Sequence, residues 1–325
     1  MLNERENFFA LLDGHPEYAP EYTSVYHVCA GVCAAVDKPG RTSNGYDSYG
    51  VRWLKETDGM IPAPGEYLFE DICDWKDKMT FMDIDSIDAG FFRDLELKDV
   101  DRSKKVINVM WGTGIFDRIT ACMGFENSLI ALMEDPEECY EFFGAVADHK
   151  IKALKKILEA YSPDVITYCD DYANARNLFM SPDCYRELIK PHQKRILDAM
   201  KESGVVVCQH TCGKCEDIVP DYVEMGVQIW NSAQHMNDLV GIQKRYGSKL
   251  IVEGGFNGSG PAALIDAQMP EILEETQRCI DEYVPYKNFI LFACLMNERG
   301  NGTAVGDPRY VPLDEYWYER VQYRN

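Results

Sequence analysis

From about residue 100 onward, short continuous apolar runs alternate with segments patterned for amphipathic helices. Runs that are apolar at both parities read as strands buried on both faces, the habit of parallel sheets. They fall at 106–111, 164–169, 205–210, 227–230, 249–253 and 288–293. The intervening helices carry start and stop signals. Pro136-Glu137-Glu138 opens a long one that ends near Tyr161-Ser162-Pro163. Ser181-Pro182-Asp183 supplies an N-cap, a first-turn proline and an acid, with helix expected towards Glu202 and a kink at Pro191. Six strand–helix alternations exceed what a small open sheet needs, so the pattern predicts a (β/α)8 TIM barrel. Residues 23–27 are the candidate first strand, and the second is not placed. The stretch 40–65, rich in Gly, Pro, Ser and Asp, reads as long loops or a cap. No interdomain linker interrupts the pattern, so 1–325 is expected to be one TIM barrel domain, with 1–100 as an irregular N-terminal loop/helix elaboration.

Composition narrows the partners. The chain has 33 Lys+Arg against 54 Asp+Glu, a net charge of −21. Such acidity opposes nucleic acid and anionic membrane surfaces, which recruit protein through cationic contacts. The N-terminus lacks the basic-then-apolar pattern of a signal peptide, and no apolar run approaches the ~20 residues of a spanning helix. A cytoplasmic location is therefore expected. Twelve cysteines there would be reduced thiols, some as small core residues and some as ligands for a soft metal.

In a barrel of this kind the chemistry sits where strands run into the following loops. Reading those ends in turn gives Asp170-Asp171, His210-Thr211-Cys212-Gly213, Asn231, Glu253-Gly254-Gly255 and Cys294. Residues i and i+2 share a face at a strand end, so His210 and Cys212 can grip one ion. Cys294, from the last strand, would complete a nitrogen-and-two-sulfur set suited to zinc with an open fourth position. Glu253 could fill that position or support His210 from behind. A local set of Cys208, Cys212 and Cys215 is the rival arrangement. Asp170 and Asp171 could serve as acid, base or hydrogen-bond acceptor, or could cap the segment that follows. Trp111, Trp230 and Tyr168 are either core or substrate-stacking groups.

Longer stretches resemble a known family. Leu178–Pro191 (Leu-Phe-Met-Ser-Pro-Asp-Cys-Tyr-Arg-Glu-Leu-Ile-Lys-Pro) precedes Val207-Cys-Gln-His-Thr-Cys-Gly213, Pro220-Asp-Tyr-Val-Glu-Met-Gly226, Tyr246-Gly247 and Glu253-Gly-Gly-Phe-Asn257. With Asp47-Ser-Tyr-Gly-Val-Arg-Trp53, Met123-Gly-Phe-Glu126 and Phe289-Ile-Leu-Phe-Ala-Cys294, the chain resembles the uroporphyrinogen decarboxylase superfamily. The likeness points especially to its zinc-dependent, corrinoid-linked methyltransferase branch. The resemblance implies a (β/α)8 barrel holding zinc through His210, Cys212 and Cys294, with Asp170-Asp171 as the family's acidic pair. It also implies that cobalamin arrives on a separate corrinoid protein docked over the barrel mouth. The expected reaction moves a methyl group between a small substrate and that cobalamin. Asp170 and Glu253 are the expected catalytic acids; Asp171, Asn231, Asn257, Tyr168 and Trp111 are the expected substrate contacts.

Two departures from the family pattern bear on the substrate. Asn257 stands where Gly-Gly-x-Asp is usual, and Leu295 where a glycine commonly follows the last cysteine. Asn257 and the aromatic loops favour the substrate side, demethylation of a methyl ether such as a methoxylated aromatic. The alternative is methylation of a thiol or folate-type carrier. The decarboxylases resemble one another in an N-terminal Arg-Gln-Ala-Gly-Arg segment, and Val25–Cys33 here has no arginine. A polyanionic porphyrinogen needs cationic clamps, so decarboxylation fits this acidic chain poorly. A zinc-holding barrel without catalysis is a further alternative.

Overall fold

The computed structural model describes residues 2–37, 45–56, 59–296 and 307–323. Seven strands form one parallel, curled sheet in the order β1-β5-β6-β7-β8-β9-β10. They are β1 (Tyr26–Cys29), β5 (Val106–Trp111), β6 (Val165–Cys169), β7 (Val206–His210), β8 (Ile229–Ala233), β9 (Ile251–Gly254) and β10 (Phe289–Leu291). Three more strands, β2 (Gly45–Tyr46), β3 (Arg52–Glu56) and β4 (Gly59–Pro62), make a separate antiparallel sheet. A single parallel bridge between Glu21 and Leu291 ties the outer edge of β10 to the segment just ahead of β1. The expected eight-stranded barrel is thus a seven-stranded parallel sheet among the described residues, joined edge to edge by that bridge.

The first strand begins at Tyr26, later than the expected 23–27. The Glu21 side chain accepts from the Ser24 amide and starts a short helix, Tyr22–Val25, that uses up those residues. The unplaced second strand needs no separate segment, because β5 pairs directly with β1, Tyr26 against Val106. In the stretch 40–65 the structure has strands where loops were expected: β3 pairs with both β2 and β4. Residues 40–44 and 57–58 of that stretch lie outside the described residues.

Strand burial follows period two on both faces, as continuous apolar runs require. Ile107, Val109, Ile166, Val207, Trp230, Val252 and Phe289 face the helical layer. Val106, Val165, Cys208, Ile229, Ile251 and Ile290 face inward with Tyr22 and Tyr26. The helix Glu4–Leu12 pushes Phe8 and Leu11 into this inner cluster and closes that end. Its start is set by a capping box between Asn3 and Glu6.

The helix Pro136–Tyr161 runs as its signals predict and stops at Ser162, whose φ of +41° ends the helical path before Pro163. Pro191 lacks the amide needed to bond one turn back, and the chain widens into a π-turn over Tyr185–Ile189 before continuing as Lys190–Glu202. The antiparallel sheet is anchored by buried charge. Asp47 accepts from the Tyr49 and Val51 amides, the Trp53 indole and Arg118. Asp37 pairs with Lys150 at 3.0 Å and its carbonyl accepts from Arg118. Two carboxylates thus offset two cations out of water, which makes each member costly to remove.

Candidate metal centre at the sheet's carboxyl end

β7 ends at His210, and parallel register places it beside Cys169 of β6 and Asn231 of β8. The chain then turns through Thr211 and Cys212 to Gly213, whose φ is +86°. A side chain at Gly213 would meet the Ala173 and Asn174 backbone at under 3 Å, so glycine is required for this close crossing. The loop is pinned from β8's side: Gln234 accepts the Gly213 amide, and Asn237 accepts those of Cys215 and Glu216. These bonds make the site-forming turn a fixed feature.

Three ligand-capable side chains converge there. Atoms of Asp171, His210 and Cys212 all lie within 4.8 Å of one another. His210 Nε2 stands 3.4 Å from Cys212 Sγ and 4.0 Å from Asp171 Oδ1. Tetrahedral zinc with nitrogen at ~2.0 Å and sulfur at ~2.3 Å sets those two ligands roughly 3.5 Å apart. The histidine–cysteine pair therefore already has ligand spacing, while Asp171 would have to close in slightly. Asp171 is anchored by accepting the Cys212 amide at 2.7 Å, and its side chain is 42% exposed towards the opening. Burial, reinforced by the Asp171 carboxylate, pushes the Cys212 thiol well above its usual range. A divalent cation would reverse that balance, because it stabilises thiolate directly.

The expected ligands are thus brought together only in part. Cys294 follows β10 and shares parity with the inward-facing Ile290 and Phe292, but it is not a member of the close group. Tyr310 holds its flanks, with the hydroxyl donating to the Ala293 carbonyl and accepting from the Leu295 amide. The local cysteine arrangement does not form a close group among the described residues. Cys208 is buried inside the sheet lower on β7, and Cys215 is buried beneath the loop.

The two aspartates separate in role. Asp170 is fully buried and accepts from the Phe116 and Asp117 amides and the Tyr172 hydroxyl, at 3.2, 2.9 and 2.7 Å. It caps the N-terminus of the helix Ile115–Met123, where a negative charge is favoured. A side chain at Gly114 would collide with it at about 2.0 Å. Burial nevertheless raises its carboxyl to about 6, those hydrogen bonds opposing the shift.

Glu253 is equally buried and does not reach the close group. One oxygen accepts from Asn231 Nδ2 at 2.6 Å and the other from Tyr26 at 2.8 Å. Burial pushes it up to about 7 against those two bonds. Asn231 in turn meets His210 Nδ1 at 2.5 Å. A β-bulge allows this contact: Asn231 and Ser232 of β8 stand opposite Glu253 alone, between the Trp230–Val252 and Ala233–Gly254 pairs. Gly254 makes the crossing possible, since a side chain there would strike the Ala233 carbonyl at 2.2 Å.

The remaining expected substrate contacts lie elsewhere. Trp111 and Tyr168 are wholly buried, 6.0 Å apart edge-to-face, on the face towards the helices and under Lys150. They are core, a role the sequence had left open. Asn257 is half-buried; its side chain accepts the Ser259 amide and its own amide donates to Glu275. Tyr26 was not foreseen, because only the register between the sheet's distant strands brings it to Glu253.

The comparisons with known proteins agree with this architecture. The family model of uroporphyrinogen decarboxylase (URO-D) matches residues 102–293, more than half of the chain. The chain belongs to the uroporphyrinogen decarboxylase family. Among solved structures it is similar to a methyltransferase from Methanosarcina mazei, with a TM-score of 0.67 and 13% identity over 98% of this chain and 99% of that one. At that identity the likeness speaks to the fold alone. No curated protein sequence matches the chain. No helix among the described residues is long and apolar enough to cross a membrane.

Proposed function

We propose that the protein is a zinc-dependent methyltransferase that moves a methyl group between a small substrate and the cobalamin of a separate corrinoid protein. The observation that carries the reading is the His210–Cys212 pair at ligand spacing on the carboxyl edge of the parallel sheet of a family member. The solved neighbour is itself named a methyltransferase, which favours this branch over decarboxylation. Zinc bound there would supply Lewis acidity to a thiol or to a departing oxygen or sulfur. His210 and Cys212 would hold it, with the adjacent Asp171, or Cys294 as the resemblance implies, supplying the remaining protein ligand.

The chain's own groups then divide the work. Asp171 is the carboxylate best placed to manage a proton at the mouth, since Asp170 and Glu253 are both enclosed. In demethylation the donor's oxygen keeps the electron pair of its bond to methyl, and a proton must be delivered to it. Gln234 and Asn237 keep the β7 loop from shifting under the incoming partner. The corrinoid carries the difficult chemistry while the sheet edge orients donor and acceptor.

The test is to incubate the zinc-loaded protein with a reduced corrinoid protein and candidate methyl ethers, following the cobalamin spectrum. Formation of methyl-cobalamin with a methoxylated aromatic supports demethylation. Loss of methyl from methyl-cobalamin only when a thiol is added would reverse the direction. No spectral change in either assay, with zinc bound, would favour a non-catalytic zinc barrel.

A further inference from the structure

His210 can ligate through Nε2 only if its proton sits on Nδ1, so the choice of tautomer decides whether the site works. The surroundings make that choice. With Glu253 ionised, both its oxygens are acceptors, one for the Tyr26 hydroxyl and one for the Asn231 amide nitrogen. With its nitrogen committed to Glu253, Asn231 can present only its oxygen to His210 Nδ1. An amide oxygen accepts and cannot donate, so the proton lies on Nδ1. The lone pair on Nε2 is then left facing Cys212 Sγ and Asp171.

We propose that Tyr26, Glu253 and Asn231 form a positioning relay that locks His210 in the Nδ1–H tautomer and so makes Nε2 the metal-binding atom. The relay draws on β1, β8 and β9 to serve a residue of β7. All three members are buried, which keeps water from offering an alternative partner at Nδ1. The β8 bulge is part of the device, because it sets Asn231 opposite Glu253. Partners of this kind orient a ligating imidazole and typically change metal affinity roughly 10- to 100-fold when lost. The relay rests on the zinc reading above, but its tautomer can be read without metal.

The experiment measures the imidazole nitrogen shifts of ¹⁵N-histidine-labelled, metal-free protein, and zinc affinity by chelator competition. Wild type is expected to hold His210 as Nδ1–H. Asn231→Leu is expected to lose that preference and to bind zinc roughly 10- to 100-fold more weakly. Tyr26→Phe removes one hydroxyl without opening a hole; it should shift affinity in the same direction by less. A wild-type protein with its proton on Nε2, or an Asn231→Leu protein that keeps both Nδ1–H and full affinity, would overturn the relay. A protein that binds no zinc, yet shows Nδ1–H lost in Asn231→Leu, would sink the zinc function and leave the relay standing.

Discussion

At one end of the sheet's interior, Phe8 and Leu11 from the N-terminal helix meet Val106, Val165, Ile229, Ile251 and Ile290 in an apolar plug. At the other, His210, Asn231, Glu253 and Cys212 form a chain of polar contacts within the same concave sheet. The strands pass from one environment to the other within two or three residues: Ile229 to Asn231, Ile251 to Glu253, Cys208 to His210. The apolar end derives stability from area removed from water and is indifferent to pH. The polar end holds buried ionisable groups whose cost is met by specific partners, so it is sensitive to pH and to single-atom changes.

The largest expected effect falls on the apolar end. Phe8→Ala should destabilise the fold by about 3–5 kcal/mol in chemical denaturation. Zinc stoichiometry of the folded protein should remain unchanged; a parallel loss of metal would show that the two ends are not separable. On the polar side, Cys212→Ala should weaken zinc binding by more than the roughly 100-fold expected of an outer partner, with the unfolding midpoint of the metal-free protein retained. Equal zinc affinity in that variant would remove Cys212 from the centre.

A smaller effect is expected from Asp170→Asn, which takes the negative charge from the Ile115–Met123 helix start. A loss of about 1–2 kcal/mol is expected, without a change in zinc affinity. Loss of methyl transfer with stability intact would instead give Asp170 a chemical role.

The smallest effect is a pH slope. Asp170 and Glu253 are raised in the fold to about 6 and about 7, so the fold holds their protons more tightly than the unfolded chain does. Their contribution to stability is fullest below about pH 4, where the unfolded carboxyls also hold protons. It declines as pH rises through those folded values and flattens above them. Tyr26 and Asn231 donate to Glu253, and Glu253 in turn bears on Tyr22 and Cys208. Metal-free Glu253→Gln should therefore lose less stability than wild type between pH 4 and 7. Parallel denaturation curves across that range would refute the assignment.

The strand series was legible because continuous apolar runs have few other uses. Five of the six runs hold a strand within two residues at either end, and that at 227–230 moved to Ile229–Ala233. The shift has a cause in the β8 bulge, which adds a residue that no periodicity announces. Local pattern does not announce the antiparallel β2–β4 sheet, because Asp47, which pins its strands, is held by a distant charge, Arg118. His210 and Cys212 could be paired from their i, i+2 spacing alone. Asp171 was read as a substrate contact and Glu253 as a possible ligand. Side-chain direction puts Asp171 beside His210 and Cys212 and turns Glu253 towards Asn231 and Tyr26.

By itself the sequence determined which segments beyond residue 100 are strands, that their sheet is parallel, and that histidine and cysteine share a strand end. Those properties depend on local spacing and on apolar runs that must be buried on both faces. Only the tertiary structure decided which of two adjacent aspartates faces the opening and which caps a helix. It also decided that β1 pairs with β5, and that Tyr26 reaches Glu253 from β1. Such outcomes depend on register between strands far apart in the chain, where a one-residue slip reverses every side chain.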